Sequence, residues 1–299
     1  MAAASAFGVA QPPLAPVAPI RLRRGTSGRV GKPLPARLVL AREKTTNTNE
    51  TRNSMTFEKL CESKGLHQAL LIDSALDMAY GDATRQGAFN TLAFEKEDKK
   101  TQEQINGVKK KAKEQLRAKI GVIMESPPDK YDEWQLDRMN ELVIQFSIIK
   151  IKDKEEPAFT YGNAQKWVNM TMKYLWERGL LKGWSCDQIH NLHIPIDSYI
   201  LDALCFSSDN LYFPPRSDPD PKKKISSAEI TRYVHPSDHI KPWSQWMKED
   251  YTIVRESLNK DQRFDLVWEQ YAWLCASRYR SKQDNKNEFT ERLKKITDS

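Results

Sequence analysis

Two stretches of this chain carry side chains of complementary chemistry: YGNAQKWVNMTMKYL at 161–175 and HIPIDSYIL at 193–201. Helical spacing through the first puts Lys166 on a polar face near its N-terminus, with Asn169 and Lys173 following on the same face. In the second, Pro195 forces an extended entry and Asp197 stands where a helix N-cap belongs. An amine and a carboxylate delivered by consecutive helices can act as a nucleophile and as the charge that stabilises what it forms. Taken singly, Asp197 reads as an ordinary cap and Lys166 as an exposed helical lysine. The histidines offer a weaker pattern, with Cys186, His190 and His193 closely spaced and His235 and His239 in HPSDH. A zinc site needs about four convergent ligands. Here the candidates straddle a helix–loop junction, so capping and surface roles are expected and no metal. Cys186 beside a histidine lacks an orienting third group. The chain carries neither G-x-G-x-x-G nor G-x-x-x-x-G-K-[ST], which excludes the common nucleotide-dependent enzymes. Asp73, Asp77, Glu141 and Asp202 lie on or beside apolar stripes and read as boundary residues or pair partners rather than catalysts.

The strip from Gly162 through Lys166 to Asn169, followed by Pro195-Ile196-Asp197-Ser198-Tyr199-Ile200, resembles the helix-hairpin-helix DNA glycosylases, the superfamily of endonuclease III and 8-oxoguanine glycosylase. The resemblance covers about 40 residues and is carried by motif positions. It implies a protein that flips a damaged or modified base out of duplex DNA, with Lys166 as the Schiff-base nucleophile and Asp197 as the essential aspartate. It also implies that Trp167, Tyr199 or Phe206 stacks on the base, and that Gly162, Asn169, Lys173 and Lys109, Lys110 and Lys111 hold phosphates. No metal or organic cofactor is called for. The interval between lysine and aspartate is longer than is usual in the family, implying an inserted turn between Glu177 and Asn191. The hairpin itself, Pro157 to Gly162, has one glycine where the family has two. The alternative is a non-catalytic helical module on the same scaffold that binds DNA or a protein. A hydrolase or transferase with a site assembled from separate helices is a third class.

The elements that must position these residues are helices. Ala69, Ile72, Leu76 and Ala79 predict one from Leu66 to Tyr80, closed by Gly81. Residues 99–124 predict a second, with Lys109, Lys110, Lys111, Lys113, Arg117 and Lys119 on a solvated or phosphate-tracking face and Pro127-Pro128 as the stop. Asp132 to Ile151 predicts a third and central helix, with Leu136, Met139, Val143, Phe146 and Ile149 on one face and Ile144, Ile148 and Ile151 widening it. A fourth spans Gly162 to Arg178, with Ala164, Trp167, Val168, Thr171, Tyr174 and Leu175 inward. A short buried helix follows Asp197 and runs to Phe206, and residues 213–227 form a surface loop. Two amphipathic helices close the chain, one starting near Trp243 (Trp243, Met247, Tyr251, Val254, Leu258) and one near Arg263 (Phe264, Val267, Trp268, Tyr271, Leu274). With no β-alternation or hairpin signal, the fold class is an all-α bundle of about eight to ten helices resembling the glycosylase fold.

Composition sets the outer bounds. The 299 residues are 39% hydrophobic and 29% charged, enough for a substantial core, and no apolar run approaches the length of a membrane span. The basic excess, 47 Lys and Arg against 40 Asp and Glu, sits entirely in residues 1–54, which hold nine basic and two acidic side chains. The domain at 55–299 is electrically balanced, so DNA binding by it must rest on local patches. The Pro- and Arg-rich tail is expected to be disordered, and to be either sequence upstream of a true start at Met55, a transit peptide or a basic arm. Cys61, Cys186, Cys205 and Cys275 show no paired spacing, which predicts free thiols in a reducing compartment. The expected location is cytoplasmic, or organellar if the tail targets, with no membrane partner.

Overall fold

The computed structural model describes residues 67–85, 97–149, 158–207, 211–214, 235–259 and 264–298. The tail, Met55, Cys61, Ile151, Pro157, most of the 213–227 loop and Arg263 lie outside the described residues. Among the described residues there are nine α-helices and two short 3-10 turns, with no β-strand. The helices are α1 (His67–Thr84), α2 (Lys99–Glu125), α3 (Tyr131–Phe146), α4 (Tyr161–Glu177), α5 (Cys186–His190), α6 (Ser198–Ser207), α7 (Lys248–Asn259), α8 (Leu266–Arg280) and α9 (Lys286–Thr297). The 3-10 turns are Pro236–His239 and Trp243–Gln245. No described helix is long and apolar enough to cross a membrane.

Local chemistry explains most helix starts. Asp98 caps α2 by accepting from Thr101 N at 2.9 Å, and Ser126 leaves the helix extended just before Pro127 and Pro128. Thr160 and Asn163 form a reciprocal capping box on α4. Asp265 caps α8 by accepting from Trp268 N, and Asn285 and Glu288 form another capping box on α9. Gly81 does not end α1, which continues one turn to bury Ala83 and Thr84.

The central helix is α4, not α3. Nearly every residue from Tyr161 to Leu175 is buried, because α1, α3, α7 and the Trp243–Gln245 turn surround it. α3 buries only Tyr131, Gln135, Met139, Leu142 and Phe146, and Ile144 and Ile148 face outward at 68% and 60% exposure. α8 likewise turns a different face inward than expected. Trp268, Glu269, Ala272 and Ala276 are buried, while Val267, Tyr271 and Leu274 are exposed. Trp268 and Glu269 set that rotation, since the indole reaches Thr297 on α9 and the carboxylate reaches Lys173 on α4. The segment around Trp243 is a 3-10 turn, and the helix behind it starts only at Lys248.

The packing forms two neighbourhoods. In one, α1, α3, α7 and the Trp243–Gln245 turn pack on α4, with α2 against α1 and α3. In the other, α6, α8, α9 and the Pro236–His239 turn pack together. Residues 192–197, which belong to no helix, lead from the first to the second, with Leu192, Ile194 and Ile196 buried.

Candidate active site

A pocket of about 450 Å³ opens where α4 meets α6 and α8. Lys166, Asp197, Lys173, Glu269, Tyr199, Trp243 and Trp273 are among its lining residues. Lys166 and Asp197 are 31 positions apart in sequence, yet Lys166 Nζ lies 2.7 Å from Asp197 Oδ2, with the lysine buried and the carboxylate 14% exposed. The chain between them contains α5, capped by Ser185 and Gln188. Asp197 does two jobs at once. Its Oδ1 accepts from the backbone N–H groups of Tyr199 at 2.9 Å and Ile200 at 3.0 Å, as an N-cap does, which leaves Oδ2 for the lysine. Burial by itself would raise the carboxyl's pKa. The Lys166 charge and hydrogen bond, with the two backbone donors, outweigh it and hold Asp197 below the usual carboxylate range.

Two helical turns further along α4, Lys173 donates to Glu269 of α8, with Glu177 at 3.9 Å. Burial dominates for Glu269 and pushes its pKa up against the pull of Lys173. Glu177, at the pocket edge, is also raised by burial. Tyr174 donates from its hydroxyl to Asp82, which in turn pairs with Arg85. Aromatic rings form the remaining walls. The Tyr199 and Trp273 rings are 5.2 Å apart, Arg280 lies over the Tyr199 ring at 4.5 Å, and Lys166 sits 5.8 Å from the Trp243 ring. Arg280 is itself held by fully buried Asp202 and by Ser198, so the Tyr199 platform is braced from behind.

No protein-family model matches the chain, and neither a curated protein nor a solved structure matches it. The site therefore has to be read from its own geometry.

Of the residues picked out by sequence, Lys166, Asp197, Lys173 and Tyr199 converge on the pocket. The others do not. Trp167 is fully enclosed, donates from Nε1 to Leu76 O and packs edge-on against Tyr80, so its ring has no face free for a base. Phe206 packs against Tyr279 and Phe289, away from the pocket lining. Asn169 is fully buried and bonded to Ile194 O and Gln165, with no path to a phosphate. Gly162 cannot cradle a phosphate through its N–H, which donates to Trp246 O at 3.0 Å. A Cβ at Gly162 would stand 1.7 Å from Trp243 O, so glycine is there for close backbone approach. Lys109 lies over the Tyr80 ring, Lys110 and Lys111 are exposed on α2, and none of the three lines the pocket.

The suspect carboxylates resolve into structural pairs. Asp73 and Asp77 face Lys113 and Arg117, Glu141 faces Lys119 and Arg138, and Asp202 holds Arg280 and the backbone N–H of Ser237. Among the described residues no group of three or more His, Cys, Asp or Glu side chains could hold a metal. His190 bonds Asp265, and buried His193 bridges Asp132 and the Tyr251 hydroxyl. Trp184 and Trp246 are buried rather than displayed beside a basic stripe. Sequence reasoning missed Trp273, Trp243 and Glu269. Trp243 carried a core assignment from helical spacing, and nothing local marks Trp273 or Glu269 as pocket residues.

Proposed function

We propose that this pocket is the active site of a DNA glycosylase with lysine-based lyase chemistry, acting on a damaged or modified base. The observation that carries the reading is the buried Lys166–Asp197 pair at 2.7 Å in an aromatic-walled cavity. About 450 Å³ suits a nucleobase with part of its sugar, inside the usual range for small-ligand sites. After passing a proton to water, the Lys166 amine would form a bond to C1′ of the sugar as the bond from C1′ to the base nitrogen breaks, the base leaving with that electron pair and a proton. Ring opening, with the sugar oxygen leaving C1′ and taking a proton, then yields the imine that a lyase needs. Asp197, held ionised, faces the positive charge that develops on the sugar. Tyr199 and Trp273 supply flat apolar surface for the extruded base.

The competing reading is a helical module that binds DNA or a protein without catalysis. What favours it is the balanced charge of residues 55–299, since duplex affinity comes chiefly from neutralised phosphates. Borohydride trapping of the full chain on duplexes carrying oxidised, deaminated, alkylated and abasic sites separates the two. A covalent adduct that Lys166→Ala abolishes supports the enzyme. Folded protein that binds duplex or a partner and forms no adduct on any substrate overturns it.

A further inference from the structure

Residues 193–197 belong to no helix and, among the described residues, lie beside no strand, so their backbone N–H and C=O groups need partners from side chains. α4 supplies them. Gln165 Nε2 donates to Ile196 O at 2.7 Å, and Gln165 Oε1 accepts from Ile196 N at 3.2 Å. Asn169, one turn on, donates from Nδ2 to Ile194 O at 3.0 Å and to Gln165 Oε1 at 3.2 Å. Gln135 of α3 donates in turn to Asn169 Oδ1. All three amides are fully buried. The result is a line of side-chain amides from α3 through α4 that ends on both polar groups of a single peptide residue.

That residue directly precedes Asp197. Neighbouring residues of one helix thus grip neighbouring residues of the segment, Gln165 on Ile196 and Lys166 on Asp197. A two-point bond fixes the orientation of the Ile196 backbone as well as its distance. It thereby fixes the direction in which the Asp197 carboxylate leaves the chain.

We propose that Gln165, braced by Asn169 and Gln135, is a positioning residue that aims Asp197 at the Lys166 amine. The catalytic value of this clamp rests on the glycosylase reading, whereas its effect on Asp197 does not. A clamp that only satisfied buried backbone would affect stability alone. One that aims the carboxylate also affects how Asp197 titrates and how fast Lys166 reacts.

The test uses the full chain with Gln165→Met, which keeps length and apolar bulk but removes both hydrogen bonds, and with Gln135→Met, which removes only the brace. Carbon-detected NMR follows the Asp197 carboxylate through its titration, assigned with Asp197→Asn. Gln165→Met is expected to move the Asp197 midpoint upward, and Gln135→Met to move it the same way by less. In single-turnover trapping, Gln165→Met is expected to slow adduct formation about tenfold or more, as small misplacements of reacting groups do. A Gln165→Met protein that is folded, with an unmoved Asp197 midpoint and an unchanged trapping rate, overturns the proposal. If Gln165→Met does not fold, the Gln135→Met titration decides, and an unshifted midpoint there overturns it. If the unmodified chain traps no duplex, the glycosylase reading falls while the titration still decides the clamp.

Discussion

The two buried ion pairs on α4 set the same charges in different surroundings. Lys166 and Lys173 lie seven residues apart on one helix, and each meets a buried carboxylate from across the pocket. Asp197 has its lysine and two backbone N–H donors, and its pKa falls. Glu269 lies in the first turn of α8, but the Trp268 N–H there goes to the capping Asp265 carboxylate and its own N–H to Asp265 O, and its pKa rises despite Lys173. A buried lysine alone does not offset the loss of water around a carboxylate, and the free donors at a helix start do. The first pair holds Asp197 ionised at the pocket wall. The second ties α8 to α4.

The largest effect that would break this contrast is on stability. Lys173→Met and Glu269→Gln are each expected to cost roughly 3–5 kcal/mol, because each strands a buried polar or charged partner, whereas the double change Lys173→Met with Glu269→Leu is expected to be nearly neutral. Urea unfolding of the set reads this directly, and a double variant as weak as the singles would show that the pair does more than tie helices.

Next comes Asp197→Asn, which keeps a competent cap and removes the charge facing Lys166. Its trapping rate is expected to drop about a hundredfold with the fold retained, in line with the loss of one electrostatic stabiliser in a dry site. An Asn variant as active as the parent would reduce Asp197 to a cap.

Trp273→Ala is expected to weaken binding of a lesion-bearing duplex by roughly 1–3 kcal/mol, the range for a lost base–aromatic stack, and to leave binding of undamaged duplex little changed. Trp167→Phe, a change in the enclosed core, is expected to alter the melting temperature and not this discrimination. Titration of duplexes by fluorescence anisotropy checks both.

The smallest effect is in pH dependence, and its sign differs between the pairs. The contribution of Asp197 is present above its unfolded value of 3.8 and is lost as pH falls through its depressed folded value. Glu269 does the reverse, because its raised folded value makes ionisation a growing burden as pH climbs from 4.5. Between about pH 3 and 6, the stability lead of the parent over Asp197→Asn should widen with pH while that over Glu269→Gln narrows. Parallel trends in the two series would refute the contrast.

Much of the fold was legible because it is written locally. Apolar spacing located α1 to α4, Pro127-Pro128 marked the end of α2, and Asp197 announced the start of α6. The site was legible only in part. The approach of Lys166 to Asp197 followed from motif positions, but the same lysine read as lying on a solvent face, since its companions on that face are polar. What buries that face comes from far along the chain: Glu269 lies 96 residues from Lys173, and the turn at Trp243 reaches α4 from a comparable distance. Periodicity reports that a helix has two faces and not what stands opposite each. For the same reason it could not tell Trp167, sealed against Leu76 and Tyr80, from Trp273, which lines the pocket.

Gly162 gives the pocket a direction of opening. With no side chain at that point, the Trp243–Gln245 turn lies directly on the backbone of α4, and the Gly162 N–H to Trp246 O bond rivets it there. The Trp243 wall therefore travels with the lysine as one rigid jaw. The opposite wall, where Trp273 rides on α8, is joined to the same helix only through side chains, so a bulkier guest would have to displace the Lys173–Glu269 pair.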